Sequence, residues 1–274
     1  MTEFRPAPFQ TLPTVIKNLL IINGLVFLAQ NTIGKGGLID FENLFGLHHI
    51  KSPLFQPWQL VTHLFLHGDI WHIIYNMFAL WMLGSILENV WGPKRFLTFY
   101  LLCGIGAGVI QLVSLWYQYH DLLNQFVAIK NSPNIGNVTA FYNQYGLSGD
   151  AESVGIFQNY VADPASSSAT SLVIHYISSF TNAVISNPTI GASGAVFGVL
   201  AAFIYLFPNT SFYLYFVFPI KAKWIGLFYF ASEIFSAFRN SPTDNIAHWA
   251  HLGGGLVGFL LVLTWNKKNR SNFS

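Results

Sequence analysis

Charge is scarce in this chain. Only 9% of its 274 residues are charged, 13 Lys and Arg against 11 Asp and Glu, where soluble domains carry about 25%. Such a composition excludes an ordinary soluble domain. The one cysteine, Cys103, excludes an intrachain disulfide and a cysteine-based zinc site. With a net charge of +2 and basic residues clustered only at the ends of apolar segments, the chain presents no basic face, so no nucleic-acid partner is expected. No Ala-x-Ala type cleavage site follows the first apolar run, Val15 to Ala29, which therefore reads as a retained helix and not a removed signal. Internal repeats and low-complexity tracts are absent too.

What the chain has in abundance is apolar surface: 53% hydrophobic and 17% aromatic residues, with a mean hydropathy of +0.45. Its solvent is the lipid bilayer. A spanning helix needs about 20 mostly apolar residues, and six candidates are found, near 14–31, 70–90, 95–116, 190–207, 221–238 and 246–266. The fifth is the weakest, because Ser232 and Glu233 interrupt it. Lys and Arg favour the cytoplasmic side of a membrane. Placing both termini there puts nine of the 13 basic residues inside, among them Lys94, Arg95, Lys221 and Lys223. The expected fold is an all-α membrane protein: a six-transmembrane-helix bundle over 14–266, with a long extracytoplasmic insertion, 117–189, between the third and fourth helices. Residues 1–13 and 267–274 are expected as cytoplasmic tails. A structureless insertion of that length is unusual. The apolar residues of Ser171 to Ile185 predict short helices within it, one lying on the membrane surface.

Polar residues cluster at one depth. In a six-span chain the second, fourth and sixth helices run in one direction. His72 and Asn76 then fall in the first turns of the second, Ser193 in the first turn of the fourth and His251 in the first turns of the sixth. Polar groups are costly to hold in lipid unless chemistry needs them. A serine hydroxyl becomes a useful nucleophile beside a general base, and imidazole, titrating near pH 6.5, suits that task. His251 is the expected base for Ser193. No acid stands near it in the sixth span, and Asp244 lies too far out, so a Ser–His dyad is expected. His72 and Asn76, at i and i+4, project from one helical face. With the Ser193 backbone N–H, unpaired at a helix start, they make a candidate oxyanion hole. Gly191, Gly194 and Gly198 on one side, and Gly253, Gly254 and Gly258 on the other, permit close backbone approach.

These residues resemble the rhomboid family of intramembrane serine proteases. Gly191-Ala192-Ser193-Gly194 is similar to the family's GxSG motif, Ala250-His251 followed by Gly253 to its AHxxG element, and His72 with Asn76 to its HxxxN pair. His63 and His67 also resemble family positions, and Glu88 with Gly92 the end of the second helix. Gln59 departs from the pattern, since many members carry Arg after the tryptophan in the place of Trp58. The insertion departs from compact members as well. The resemblance implies hydrolysis of peptide bonds in or beside transmembrane segments of membrane proteins, no cofactor, and a gate formed by the fifth helix and Asn240 to Asn245.

Other readings stand beside this one. The same fold could bind and guide membrane helices without catalysis, although such relatives typically lose the serine or the histidine. A histidine-relay transporter predicts ionisable residues along a route through the bilayer, and here they gather on the outer half. His248 lies one turn before His251, yet no carboxylate or cysteine neighbour completes a metal site, so none is expected. His63 and His67 read as structural, His48 and His49 as interfacial, and the 26 Phe as lipid-facing packing. Low charge and a bare core point to a bacterial inner membrane.

Overall fold

The computed structural model describes residues 9–149, 151–214, 218–239 and 246–271. Twelve α-helices account for most of them, and two compact units emerge: residues 1–47, 56–113 and 188–274, and residues 48–55 and 114–187. The expected gate loop, Asn240 to Asn245, lies outside the described residues, as do Asp244 and most of the amino-terminal tail.

In the first unit, α1 (Thr14–Ala29) runs on without a break into a π-wound turn, Gln30–Gly34. Its start is fastened by a buried acid. The first N–H groups of a helix have no intrahelical partner, and here Glu88 accepts both, from Val15 N at 2.9 Å and from Ile16 N at 2.9 Å. The positive end of the helix dipole reinforces that placement of the carboxylate. Beside it Asn89 clamps Gln10 in both directions, at 2.9 and 2.8 Å. Short helices α2 (Phe41–Phe45) and α3 (Gln59–Thr62) lie between the first and second long helices. The next rod consists of α4 (Ile70–Ala79), a π-wound turn and α5 (Ser85–Trp91). It ends because Gly92 turns with φ +80° and Pro93 opens the following helix, a conformation glycine adopts freely and a position proline suits.

That following helix, α6 (Pro93–Asn131), is 39 residues long. At 1.5 Å per residue it measures about 58 Å, nearly twice the hydrocarbon thickness of a bilayer, about 30 Å. The expected span 95–116 is therefore only its first part. No glycine or proline follows Trp116 until Pro133, so nothing stops the helix where its apolar character fades. The remainder belongs to the second unit with α7 (Ile135–Gln144), α8 (Ala151–Ala162) and α9 (Ser167–Ile185). Leu122, Ile129, Val138, Phe141, Tyr160, Val173 and Ile177 close a core of their own there. Asn134 and Asn137 bond each other's backbone N–H at the start of α7, a reciprocal cap. Residues 114–187, with 48–55, thus form a small helical unit.

The first unit resumes with α10 (Ser193–Leu206), α11 (Ala222–Arg239) and α12 (His248–Ser271). Between α10 and α11 the strands Ser211–Leu214 and Phe218–Lys221 pair antiparallel, Phe212 opposite Ile220, a short hairpin that the helical reading did not anticipate in an otherwise mostly helical chain. The apolar stretch before Lys221 had no helical period to oppose it. Among the described residues three helices are long and apolar enough to cross a membrane, Thr14–Gly34, Ile70–Trp91 and Pro93–Asn131, while Ser193–Leu206 is apolar but shorter. Leu80, Leu87, Phe96, Phe99, Ala195 and Val199 form the centre of this unit's core.

Removing the Glu88 carboxylate leaves two helix-end N–H groups unpaired in a site 3% exposed. Glu88→Ala is expected to destabilise the protein by about 1–3 kcal/mol and Glu88→Gln by less, read as shifts of the thermal midpoint in detergent.

Candidate active site

Ser193 opens α10 and His251 lies in the first turn of α12. Their side chains meet, His251 Nε2 standing 2.7 Å from Ser193 Oγ. What permits this is the absence of side chains along the α10–α12 seam. A Cβ on Gly254 would overlap the Gly194 carbonyl, and one on Gly258 would come to 2.6 Å from the Gly198 carbonyl oxygen. Two pairs of glycines, each spaced by four residues, therefore let the two backbones touch. Gly253 does not share in that seam, because it faces Ile110 of α6.

The imidazole is held on its other sides too. Phe197, one turn after Ser193, stacks on the His251 ring at 4.4 Å and 8°. Phe230 of α11 braces Phe197 edge-on at 5.6 Å. Glu233 of α11 brings Oε2 to 3.0 Å from His251 Nδ1 and to 2.6 Å from His248 Nδ1. The first approach lies within ion-pair range but out of line for a straight N–H···O bond, since Nδ1 lacks a well-directed acceptor. The electrostatic consequence is the same: a carboxylate beside Nδ1 favours the tautomer with its proton there, leaving Nε2 to accept from Ser193. Glu233 thus stands beside the expected Ser193–His251 pair, and the expectation that no carboxylate neighbours His248 and His251 is corrected.

Sequence reasoning passed over Glu233 by treating it as an interruption of an apolar span. An acid in such a span was itself the signal. Antiparallel packing then brings the last turns of α11 beside the first turn of α12. Phe197 carried no comparable signal among 26 Phe.

His72 stands on α4, whose start is capped by Asp69, accepting from Trp71 N at 2.8 Å and His72 N at 2.9 Å. Gly68 N donates to His72 Nδ1 at 3.4 Å, which leaves Nε2 to carry the ring proton. That Nε2 faces Gly191. A Cβ at residue 191 would lie 2.8 Å from His72 Nε2 and 3.5 Å from Ser193 Oγ, so donor and hydroxyl border one small space. Gly191 is further demanded by its φ of +131°. Its N–H donates to the His63 carbonyl at 2.9 Å, tying the serine loop to the segment before α4. Asn76 is buried, but its amide donates to the His72 carbonyl at 2.9 Å. Among the described contacts the structure does not bring it to Ser193.

His63 and His67 lie in the segment before α4, and both are buried. His63 Nδ1 donates to the Gln59 carbonyl at 2.6 Å. Gln59, the departure from the family pattern, is itself fully buried. His67 packs edge-on against His72 at 5.0 Å, and Gln30 clasps its backbone through both the N–H and the carbonyl. Burial pushes His63 down to about 4 and His67 down to about 3. Both are held neutral in the fold and titrate near 6.5 when unfolded. The unfolded chain thus binds more protons below that pH, so this stability is present above pH 6.5 and is lost as pH falls towards 4 and 3.

Residues 54–132 and 134–268 match the rhomboid domain. An uncharacterized mitochondrial rhomboid protein of Schizosaccharomyces pombe is 27% identical across 97% of this chain and 68% of its own length. The mitochondrial RHOMBOID-like protein 12 of Arabidopsis thaliana is 24% identical across 94% of this chain and 60% of its own. Rhomboid protease GluP of Bacillus subtilis is 39% identical over a shorter stretch, 29% of this chain and 16% of its own length. The match and the long apolar helices make this an integral membrane protein. The mitochondrial names of the two relatives aligned along nearly the whole chain do not fit a bacterial inner membrane.

The titration of the buried histidines has a measurable consequence. The thermal midpoint is expected to fall as pH drops from 6.5 to 4, and His67→Phe is expected to reduce that fall, as followed by differential scanning fluorimetry across the pH series.

Proposed function

Because the chain belongs to the rhomboid family, we propose that it is an intramembrane serine endopeptidase, hydrolysing peptide bonds in or beside the transmembrane segments of membrane proteins. The observation that carries this reading is the 2.7 Å contact between Ser193 Oγ and His251 Nε2. Ser193 attacks the scissile carbonyl as His251 takes its proton. Glu233 holds the proton on Nδ1 and offsets the charge of the imidazolium that forms. His251 then returns the proton to the leaving amine, and an acyl-enzyme on Ser193 awaits water. The oxyanion forms in the space beside Gly191, facing His72 Nε2–H and the Ser193 backbone N–H. Asn76 offers the second hydrogen of its amide, the first being given to the His72 carbonyl.

Depth follows from helix length. The six crossings are α1, the α4–α5 rod, the first part of α6, α10, α11 and α12, with both termini cytoplasmic and the insertion extracytoplasmic. With 14 residues, α10 is about 21 Å long against a hydrocarbon layer of about 30 Å. Anchored at the inner face, it starts roughly 9 Å below the outer one. Ser193 then sits inside the membrane beneath an extracytoplasmic opening, where a substrate helix must unwind locally to expose a carbonyl. The names of the relatives weigh for a mitochondrial over a bacterial membrane. A silent helix-binding role is disfavoured because serine, histidine and carboxylate are all kept.

Fluorophosphonate labelling of the detergent-solubilised protein tests the reading. The parent is expected to label and Ser193→Ala not at all. His251→Ala should slow labelling by about 10²–10⁴-fold, and Glu233→Gln by about tenfold or more. Equal labelling of all variants refutes the assignment, and cleavage of a membrane-anchored substrate separates protease from binder.

A further inference from the structure

Glu233 has two imidazole partners, and one of them, His248, has no part in the reaction proposed above. One ligand atom from each of Glu233, His248 and His251 lies within 4.8 Å of the other two, and Glu233 Oε2 approaches the Nδ1 of both rings. His248 and His251 occupy i and i+3 of the first turn of α12, one helical face, and Glu233 meets them from α11. The three side chains are 11–12% exposed, sheltered yet reachable.

We propose that Glu233, His248 and His251 form a binding site for a zinc-like divalent ion, and that the ion switches Ser193 off. This inference rests on the serine-hydrolase reading for its inhibitory half only. Two imidazole nitrogens and one carboxylate oxygen are the donors zinc prefers, with a fourth position left for water. Ligand atoms about 2.1 Å from a tetrahedral ion lie about 3.4 Å apart. Those around Glu233 stand 2.6 and 3.0 Å away, so the side chains need open by less than about 1 Å. Magnesium, which demands octahedral oxygen ligands, does not suit them.

Inhibition follows from proton positions. Without an ion, His251 carries its proton on Nδ1, facing Glu233, and Nε2 accepts from Ser193. An ion on Nδ1 needs that lone pair, so the ring's single proton moves to Nε2 and none is released. Nε2–H then donates to Ser193 Oγ and can no longer take its proton. The ion thus converts the base into a donor without touching the serine.

The test separates binding from hydrolysis. Isothermal titration of Zn2+ into the full-length Ser193→Ala protein in detergent, with Co2+ visible spectra beside it, is expected to give one saturable ion per chain. Adding His248→Phe should weaken binding at least tenfold, while adding His248→Cys, which restores a ligand, should keep it within tenfold. Circular dichroism checks that each variant is folded. In the protein with Ser193 intact, Zn2+ should slow fluorophosphonate labelling at least tenfold, EDTA should reverse this, and Mg2+ should have no effect. Absence of saturable binding, equal binding by the phenylalanine variant, or labelling unaffected by bound Zn2+ each overturns the proposal. One bound ion in a protein that never labels, even with chelator, would overturn the hydrolase reading and its switch but leave the ion site standing.

Discussion

Backbone contact between α10 and α12 is the constraint on which the rest of the site depends. In lipid there is no hydrophobic force between helices, so van der Waals packing and polar contacts carry their association. Here the contact is made by Gly194 and Gly198 against Gly254 and Gly258. Because Ser193 precedes one of these glycines directly and His251 lies one turn before another, the seam sets the separation of hydroxyl and imidazole. Phe197 then fixes the plane of the ring, and α11 delivers Glu233 behind it.

The same unit places its sheltered acids, Glu88 and Glu233, where backbone or imidazole N–H groups need them. Glu88 satisfies the start of α1, and Glu233 lies between two histidines. An unpaired carboxylate in such surroundings is strongly disfavoured, so each acid marks a place where the fold has arranged donors around it. Histidines buried without a bonded acid behave in the opposite way. His63 and His67 stay neutral, the His63 ring donating to the Gln59 carbonyl and Gln30 holding the His67 backbone, and His67 packs edge-on against the His72 ring.

Much of this was legible because membrane helices announce themselves. The long apolar runs gave α1, the α4–α5 rod and the start of α6. The polar residues at the starts of the second, fourth and sixth runs marked His72, Ser193 and His251, and the glycine spacing anticipated the seam. Glu233 was hidden because its partners lie in another helix, 15 or more residues away, and a linear reading scores an acid in an apolar run as a defect. The true length of α6 was hidden for a related reason. Hydropathy fades after Trp116 while helical character does not, since continuation depends on the core that Leu122 and Ile129 share with α7, α8 and α9. The pairing of Phe212 with Ile220 is likewise a property of two segments together.

The most direct measurement places a methyl group in the seam. Gly254→Ala sets a Cβ against the Gly194 carbonyl and forces α10 and α12 apart by a few tenths of an ångström or more, while leaving serine, histidine and glutamate in place. If the seam fixes the nucleophile against its base, fluorophosphonate reaction at Ser193 slows at least tenfold with the helical content unchanged by circular dichroism. A Gly254→Ala protein that reacts at the parent rate would contradict the claim that backbone contact between these two helices makes the site.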